Sequence, residues 1–155
     1  MIRYCWDTSI FVAWLKEEHS APLADIELIV EEIESRQAAL IVSVTTCTEM
    51  LETKHTSDQW NAFNLFLNRS NVVLANITLP IAQLASAIRI KGAVENRKIK
   101  TPDAQILATA ILYKADALHS LDPHHISLNG SAIVDGLRIT PPLSLGGQHG
   151  LLATR

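Results

Sequence analysis

The sequence predicts an α/β protein, a three-layer α/β/α sandwich in which helices cover both faces of a central, mostly parallel sheet. Short apolar runs typical of buried strands alternate with segments of helical periodicity, and this alternation favours parallel strands joined by helices. The chain has 155 residues, of which 48% are hydrophobic, so it supports one sizeable core. We expect one domain over residues 1–137, followed by a loosely held tail over residues 138–155.

Short apolar runs mark five candidate strands. The first of them, Ile2–Trp6, is mostly apolar and rich in residues that favour extended chain. Because helical segments separate the runs, we expect the strands to pair in parallel. In chain order the candidates are residues 2–6, 38–44, 72–77, 117–120 and 132–134.

Helical periodicity and helix-start signals mark the segments between the strands. From Ile26 to Ile33 apolar residues recur at i, i+3, i+4 and i+7, which predicts an amphipathic helix with its acids on the outer face. Thr101 and Pro102 predict a helix start with Thr101 as the N-cap residue. The segment after them is apolar almost all round, so that helix is expected to be central. The predicted helices are residues 9–16, 24–36, 46–55 and 101–115, with two more that start at Ser57 and Thr78.

The composition excludes several classes of protein. A net charge of -3 and a pI near 6.0 argue against a general nucleic-acid-coating protein, which would be basic. Cys5 and Cys47 lie in apolar runs without metal-ligand spacing, which favours buried free thiols over a disulfide. The sequence has neither a signal-peptide pattern nor an apolar run long enough to span a membrane. We therefore predict a cytoplasmic protein without membrane contact.

Four acidic residues lie near the ends of these strands or in the helices that follow: Asp7, Glu49, Asp103 and Asp122. Three of them have an ordinary structural explanation, because Asp7 suits a helix N-cap, Glu49 a capping box and Asp103 the positive end of a helix dipole. The carboxyl ends of parallel strands, however, form a single crevice. We therefore expect the four side chains to meet there.

A carboxylate cluster of this kind requires a cation. Two carboxylates about 4 Å apart repel by roughly 4 kcal/mol at an effective dielectric near 20, a sizeable part of the about 5 to 15 kcal/mol that stabilises a domain. Mg²⁺ and Mn²⁺ prefer oxygen ligands, and sites that cleave phosphodiesters hold these ions with a few carboxylates. We predict that the four acids bind Mg²⁺ or Mn²⁺.

Other catalytic chemistries have weaker support. His119, His124 and His125 lie near Asp122 but lack a zinc-binding pattern, so we expect surface or loop positions for them. No serine has a nucleophile-elbow context. No glycine-rich phosphate-binding loop is present in the sequence, so a nucleotide cofactor is not indicated.

Together these residues resemble the PIN domain, most closely the VapC toxins of toxin-antitoxin pairs. The first strand ends in Asp7-Thr8-Ser9, Glu49 opens the helix after the second strand, and a later helix begins Thr101-Pro102-Asp103. Ser120-Leu121-Asp122 matches the family's Thr-x-Asp pattern. The resemblance covers about residues 1–137. It departs just beyond Asp122, where Pro123-His124-His125 replaces a further acid and an aromatic residue.

The resemblance implies a metal-dependent endoribonuclease that cuts cellular RNA and is silenced by a cognate antitoxin protein. It implies that Asp7, Glu49 and Asp103 bind the metal and that Asp122 is the fourth acid. Thr8 and Ser120 are expected to support these acids. We also expect a homodimer, and an antitoxin that inserts an Arg or Lys among the carboxylates.

A basic stretch and several apolar side chains are candidate contact surfaces. The basic stretch leads directly to Asp103 and would hold RNA phosphates, although a solvated helix end and loop explains it equally well. Its residues are Arg89, Lys91, Arg97, Lys98 and Lys100. Trp60, Phe63 and Phe66 are candidates for a dimer or antitoxin surface, although core packing is the favoured role for at least one face of their helix. The expected anchors for an antitoxin are Trp14, Ile29 and Phe63.

Two other functions compete with the nuclease. One is an inactive PIN-like scaffold that binds RNA or protein, although a scaffold has no reason to retain four acids that repel one another. The other is a phosphatase with Asp7 as its nucleophile. That chemistry usually requires a second Asp two residues on, where this chain has Ser9.

Overall fold

The computed structural model of the chain describes residues 1–146, and these residues have the predicted α/β/α layering. Five strands form one sheet, with helices on both faces. The strands are β1 (Ile2–Trp6), β2 (Ala38–Ser43), β3 (Val72–Ala75), β4 (Ala117–His119) and β5 (Ile139–Thr140). The helices are α1 (Thr8–Lys16), α2 (Leu23–Glu34), α3 (Val44–Leu51), α4 (Ser57–Leu67), α5 (Leu79–Val94), α6 (Thr101–Leu112) and α7 (Pro123–Ile126).

The order of the strands creates a switch point beside β1. The order is β3-β2-β1-β4-β5, and every neighbouring pair is parallel. The chain runs outward from β1 through β2 to β3, then crosses to the other side of β1 to form β4 and β5. Parallel sheets form clefts at the carboxyl ends of the strands that flank such a switch. The residues that follow β1 and β4 are therefore in position to form one.

Alternation along the strands divides the core between the two faces of the sheet. Tyr4 and Trp6 of β1 pack with residues of α1, α2 and α4, whereas Cys5 between them packs with residues of α5 and α6. Because both faces are buried, the strands are continuous apolar runs rather than alternating ones. The predicted central helix is α6, half of whose residues are buried against the second face.

Two helix starts differ from those that the sequence predicts. Helix α3 follows β2 without a loop, and Ser43 is its N-cap, accepting a hydrogen bond from the Thr45 backbone N at 3.1 Å. Glu49 is therefore the sixth of the eight residues of α3 and does not belong to a capping box. In α6 the N-cap is Lys100, without a side-chain cap, and Thr101 is the first helical residue.

The predicted strand at residues 132–134 is instead a 3-10 helix, Ala132–Val134. Ser131 caps it by accepting a hydrogen bond from the Ile133 backbone N at 3.1 Å. Asp135 and Gly136 follow with φ angles of 52° and 76°, and this left-handed turn ends the segment. The fifth strand comes later in the chain, as β5 beside β4.

Strand β5 lies beyond residue 137, where we expected a loosely held tail to begin. The residues after it are tied to the core, because the Leu145 backbone N donates to the Tyr4 hydroxyl at 2.9 Å. The Tyr4 hydroxyl donates in turn to Glu32 Oε2 at 2.9 Å, and the Ser144 hydroxyl donates to Glu32 Oε1. The expectation is therefore wrong for residues 139–145. Its remainder, residues 147–155, lies outside the described residues.

The aromatic residues of α4 belong mainly to the core. Phe63 and Phe66 are 2% and 3% exposed, and Ile29 of α2 is 0% exposed. Core packing, the favoured role for one face of this helix, is therefore confirmed for Phe63 and Phe66. Ile29 and Phe63 are excluded as antitoxin anchors, since a buried side chain cannot contact a partner without local unfolding. Trp14 and Trp60 are only partly buried and stay predicted contact residues.

The two cysteines are free thiols, as predicted. Burial raises the pKa of the Cys5 thiol, with a further contribution from the Asp7 charge, and burial also raises the pKa of Cys47. None of the helices in residues 1–146 combines the length and apolarity needed to cross a membrane.

Candidate active site

Asp7 lies at the switch point, between the end of β1 and the start of α1. It caps α1, because its Oδ1 accepts a hydrogen bond from the Ser9 backbone N at 3.0 Å and another from the Ser9 hydroxyl. The Ser9 hydroxyl oxygen accepts from the Leu121 backbone N at 3.0 Å, which ties α1 to the loop after β4. Asp7 is only 3% exposed. Its capping role occupies Oδ1, whereas Oδ2 contacts the ring of His125.

Glu49 faces the same region from the second half of α3. The Thr8 hydroxyl donates to Glu49 Oε1 at 2.7 Å, and this contact agrees with the predicted supporting role of Thr8. Burial raises the pKa of the Glu49 carboxyl, and the charges of Asp103 and Asp7 raise it further, against the hydrogen bond from Thr8. The three acids are therefore close enough to influence one another electrostatically.

Asp103 and Asp122 complete the acidic set at two helix starts. Asp103 is the third residue of α6 and is partly exposed. Asp122 is the N-cap of α7, where its Oδ1 accepts a hydrogen bond from the His124 backbone N at 2.9 Å. Ser120 supports this turn, since its hydroxyl oxygen accepts from the Asp122 backbone N at 3.0 Å.

All four acids line one small cavity at the carboxyl end of the sheet, which we call the acid cavity. Its volume is about 170 Å³. The elements that contribute are the β1–α1 junction, α3, α6 and the turn into α7. The lining residues are Asp7, Thr8, Ser9, Glu49, Asp103, Ile106, Asp122 and His125.

His125 bridges two of the acids. Its Nδ1 lies 3.0 Å from Asp7 Oδ2, and its Nε2 lies 3.3 Å from Asp103 Oδ1. Burial alone would lower the pKa of the imidazole, because the ring is 6% exposed, but the carboxylates of Asp103 and Asp7 outweigh burial and raise the pKa to about 10. At neutral pH the ring is therefore an imidazolium that offsets part of the negative charge.

Two of the three histidines expected at the surface are buried, so that expectation is wrong for His119 and His125. His119 Nδ1 accepts a hydrogen bond from Trp6 Nε1 at 3.2 Å. Burial lowers the pKa of His119 to about 4, although the Asp7 charge and a backbone contact at Leu143 act in the opposite direction. Its ring is neutral at pH 7. Only His124 is exposed.

The sequence carries a local signal that would have found His125. An Asp followed by Pro is a typical helix start, with Asp122 as N-cap and Pro123 at the first position. A residue at the third position of such a helix turns back toward the N-cap, as the Glu or Gln of a capping box does. His125 occupies that position. Its contact with Asp7, 118 residues earlier, has no signal in the sequence.

The residue types around the acid cavity suit a hard divalent cation. Within residues 1–146 no group of three or more His, Cys, Asp or Glu side chains is disposed to hold a metal ion. The polar lining nevertheless consists of carboxylates, two hydroxyl side chains and one imidazole, which agrees with the oxygen preference of Mg²⁺ and Mn²⁺. Asp7 and Asp103 already share one positive charge, that of His125. The site thus fits a cation in charge and donor chemistry.

The predicted basic residues differ in their position relative to the acids. Arg97 and Lys98 line a cavity together with Asp103, and Arg89 lines the next cavity along the same loop. Lys91 faces elsewhere, since its Nζ lies 3.9 Å from Asp135 Oδ1 in the turn after the 3-10 helix. Lys100 is exposed at the N-cap of α6.

Comparison with known families agrees with this geometry. The model of the PIN domain matches residues 4–130, a span that contains all four acids and most of the sheet. The chain belongs to the PIN domain family. The resemblance inferred from the sequence is thereby confirmed. Among curated proteins no relative matches the chain.

Several solved toxin-antitoxin structures have the same fold as this PIN domain. VapBC2 from Rickettsia felis, bound to a DNA fragment from its promoter, gives a TM-score of 0.65 at 15% identity, covering 89% of this chain and 97% of that one. A toxin-antitoxin complex from Klebsiella pneumoniae gives 0.61 at 21% identity, with coverages of 92% and 99%. VapBC-5 from Mycobacterium tuberculosis gives 0.59 at 18% identity, with coverages of 91% and 99%. At these identities the likeness establishes the fold.

Proposed function

We propose that this PIN domain is a divalent-metal-dependent endoribonuclease and the toxin of a toxin-antitoxin pair. The observation that carries the proposal is the acid cavity, in which carboxylates from four separate parts of the chain lie together at the switch point of a parallel sheet. Membership of the PIN family and the fold shared with toxin-antitoxin structures support the same conclusion.

Asp7, Glu49, Asp103 and Asp122 would hold Mg²⁺ or Mn²⁺. When bound, such an ion supplies positive charge against the attacked phosphate and makes a water nucleophile available at neutral pH. Thr8 holds Glu49 in position by its hydrogen bond, and Ser9 does the same for Asp7. His125 keeps Asp7 and Asp103 close together by offsetting their charge. The chain's own contribution is therefore a preorganised set of carboxylates, in which Asp7 is buried and the other three are partly exposed.

RNA is the proposed substrate because cationic side chains adjoin the acids. Arg97 and Lys98 share a cavity with Asp103, so a polynucleotide phosphate bound there would lie next to the carboxylates. The overall charge of -3 argues against a protein that coats nucleic acid, and a local basic patch beside an acidic site agrees with cleavage of a bound strand.

An antitoxin is the proposed partner, since several neighbours in fold are toxin-antitoxin complexes. A site of four carboxylates attracts an inserted Arg, which pairs with carboxylates in a bidentate way. Trp14 and Trp60 are partly exposed beside the aromatic core and are the proposed apolar contacts. Homodimerisation and a cytoplasmic location complete the proposal.

The test is RNA cleavage by the purified protein. We expect cleavage with Mg²⁺ or Mn²⁺ and none in EDTA. Asp7→Asn, Glu49→Gln and Asp103→Asn should each reduce the rate at least about 100-fold, as loss of an electrostatic group in an active site does. Asp122→Asn should reduce it less, because we expect Asp122 to support the metal indirectly, through water or Ser120, whose hydroxyl contacts the Asp122 backbone. Exposed carboxylates outside the cavity provide matched controls, namely Asp25→Asn and Glu31→Gln.

The controls separate the nuclease from an inactive scaffold. If the three site variants and the two control variants behave alike, the acid cavity is not catalytic. If no RNA is cleaved with either metal while RNA or a partner protein still binds, the scaffold is the correct function. For the antitoxin, co-expression with the product of a neighbouring gene should yield a stable complex and restore growth.

A further inference from the structure

A second cavity opens directly beside the acid cavity, and we call it the loop cavity. Its volume is about 360 Å³, and it shares Asp103 and His125 with the acid cavity. One wall is the loop between α5 and α6, and the other is formed by α7 and Leu128. The remaining lining residues are Asn96, Arg97, Lys98, Ile99, His124 and Leu128.

The loop cavity combines an apolar base with polar side chains that lack a partner. Ile99 and Leu128 are buried and supply the apolar part. The amide of Asn96, the ammonium of Lys98 and the imidazole of His124 make no side-chain hydrogen bond or ion pair with any residue in 1–146. An apolar floor with a few convergent polar groups is the usual composition of a small-molecule binding site.

The loop that carries these side chains is held in one shape. Arg97 donates through Nη1 to the Ser127 carbonyl oxygen at 3.4 Å and through Nη2 to the Ser127 hydroxyl, which joins the loop to α7. Arg89 Nε donates to the Ile99 carbonyl oxygen at 3.0 Å. Gly92 allows the close return of the loop, since a Cβ there would lie 2.9 Å from the Arg97 carbonyl oxygen. The backbone of the loop is therefore fixed, and the exposed side chains of Asn96, Lys98 and His124 project from fixed positions.

A further cavity, lined by none of the four acids, adjoins the loop cavity. That cavity, of about 430 Å³, shares four residues with the loop cavity and adds Arg89, so cationic side chains extend along the same path. The shared residues are Asn96, Arg97, Lys98 and Ile99. A chain of phosphates that starts at the acid cavity would pass Lys98 and then Arg89.

We propose that the loop cavity is a nucleotide subsite, which seats one unpaired nucleotide of a single-stranded RNA next to the scissile phosphate. Asn96 and His124 contact the base, the amide by hydrogen bonding and the imidazole by stacking, and Lys98 contacts the backbone phosphate. This assignment rests on the proposed nuclease function for the position of the cleaved bond. The assignment of a nucleotide to the loop cavity depends on the side chains that line the cavity and not on the cleavage reaction.

Size and chemistry favour a single strand over a duplex. A cavity of about 360 Å³ is at the small end of the roughly 300 to 1,000 Å³ range of ligand pockets, which suits one nucleotide. Sequence-specific recognition of RNA relies on unpaired bases that can be splayed out, stacked on aromatic or guanidinium planes and hydrogen-bonded at their edges. Asn96 and His124 offer those two contacts.

The first test measures binding apart from cleavage. Fluorescein-labelled single-stranded RNAs of about 8 nucleotides are titrated with the protein in EDTA, and anisotropy gives the Kd. We expect His124→Ala and Asn96→Gly to raise the Kd about tenfold, in line with loss of one stacked or hydrogen-bonded base. Glycine accommodates the φ of 56° at Asn96, so that variant removes the amide without backbone strain.

Two lysine variants provide a test of the phosphate contact and its matched control. Lys98→Ala should weaken binding for every sequence and reduce the slope of log Kd against log salt concentration by about 0.7, the release expected for one phosphate contact on a single strand. Lys91→Ala removes the same charge from the same basic stretch, but its partner is Asp135, so Kd and slope should not change. Equal effects of the two lysine variants would overturn the subsite.

The second test asks which base is recognised and keeps the two proposals apart. With Mg²⁺ and a pool of short RNAs, wild-type cleavage should show a base preference at one position beside the cut, and Asn96→Gly and His124→Ala should flatten it. Cleavage with an unchanged preference in both variants overturns the subsite but leaves the nuclease intact. Binding that responds to these variants without any cleavage supports the subsite and overturns the nuclease. Equal affinity for the same sequence as a duplex or as DNA overturns the RNA assignment.

Discussion

Replacement of His125 by glutamine tests whether the charge of His125 stabilises the close approach of Asp7 and Asp103 in the absence of a metal ion. The imidazolium lies between Asp7 and Asp103, and its pKa of about 10 exceeds the ordinary value of 6.5. The stability that this ring contributes is fully present below pH 6.5 and is lost as the pH rises through about 10. Between those two values the native state binds one more proton at His125 than the unfolded state does.

The size of the effect follows from the linkage slope. One bound proton changes the free energy of unfolding by roughly 1.4 kcal/mol per pH unit, so the contribution of His125 should fall by about 2 kcal/mol between pH 7 and pH 8.5. Glutamine has no charge to lose in this range. The free-energy difference between the wild type and His125→Gln should therefore shrink by that amount over the same interval.

The assay is urea unfolding of both proteins in EDTA, at pH 7 and at pH 8.5. Subtraction of the variant removes the contributions of every other titrating group, including the neutral His119 and the cysteines, which are common to both proteins. Added Mg²⁺ should stabilise His125→Gln more than the wild type, because the carboxylates of the variant have lost their internal cation. A difference that stays constant between the two pH values would refute the charge bridge and leave His125 as a packing residue.

Three further outcomes test the fold around the site. Tyr4→Phe should lower the free energy of unfolding by about 2 kcal/mol, because it removes the hydrogen bond to buried Glu32 and the acceptor for the Leu145 backbone N. The measurement is denaturant unfolding, and the control variant Tyr113→Phe should change the free energy of unfolding little. Gly92→Ala should destabilise the protein by about 1 kcal/mol and weaken RNA binding, because the added Cβ would contact the Arg97 carbonyl oxygen. Elsewhere in a helix, replacement of glycine by alanine normally stabilises by about that amount. A gain in melting temperature would show that the loop moves freely. Stability of the wild type should also fall as the pH drops from 6.5 toward 4, since His119 is buried neutral with a pKa of about 4, and His119→Gln should remove that part of the loss in a pH series.

Local pattern in the sequence is strong enough to predict most of the fold. Alternation of short apolar runs with helical periodicity implies parallel strands with helices on both faces, and four of the five predicted strand positions are strands in the structure. The exception, residues 132–134, fails because an apolar run of three residues has the same composition in a strand and in a buried 3-10 helix. The left-handed residues after it, Asp135 and Gly136, decide between them.

The candidate site was likewise only partly predictable from the sequence. The sequence by itself determined which acids follow the strands, and the rule that strand ends converge in parallel sheets predicts that they approach one another. Only the tertiary structure decided that His125 lies between Asp7 and Asp103, that Phe63 faces the core, and that the fifth strand is β5 instead of residues 132–134. Those facts depend on contacts between residues far apart in the chain, as with His125 and Asp7. Periodicity reports which face of an element is apolar, whereas burial, charge pairing and pKa depend on which other element covers that face.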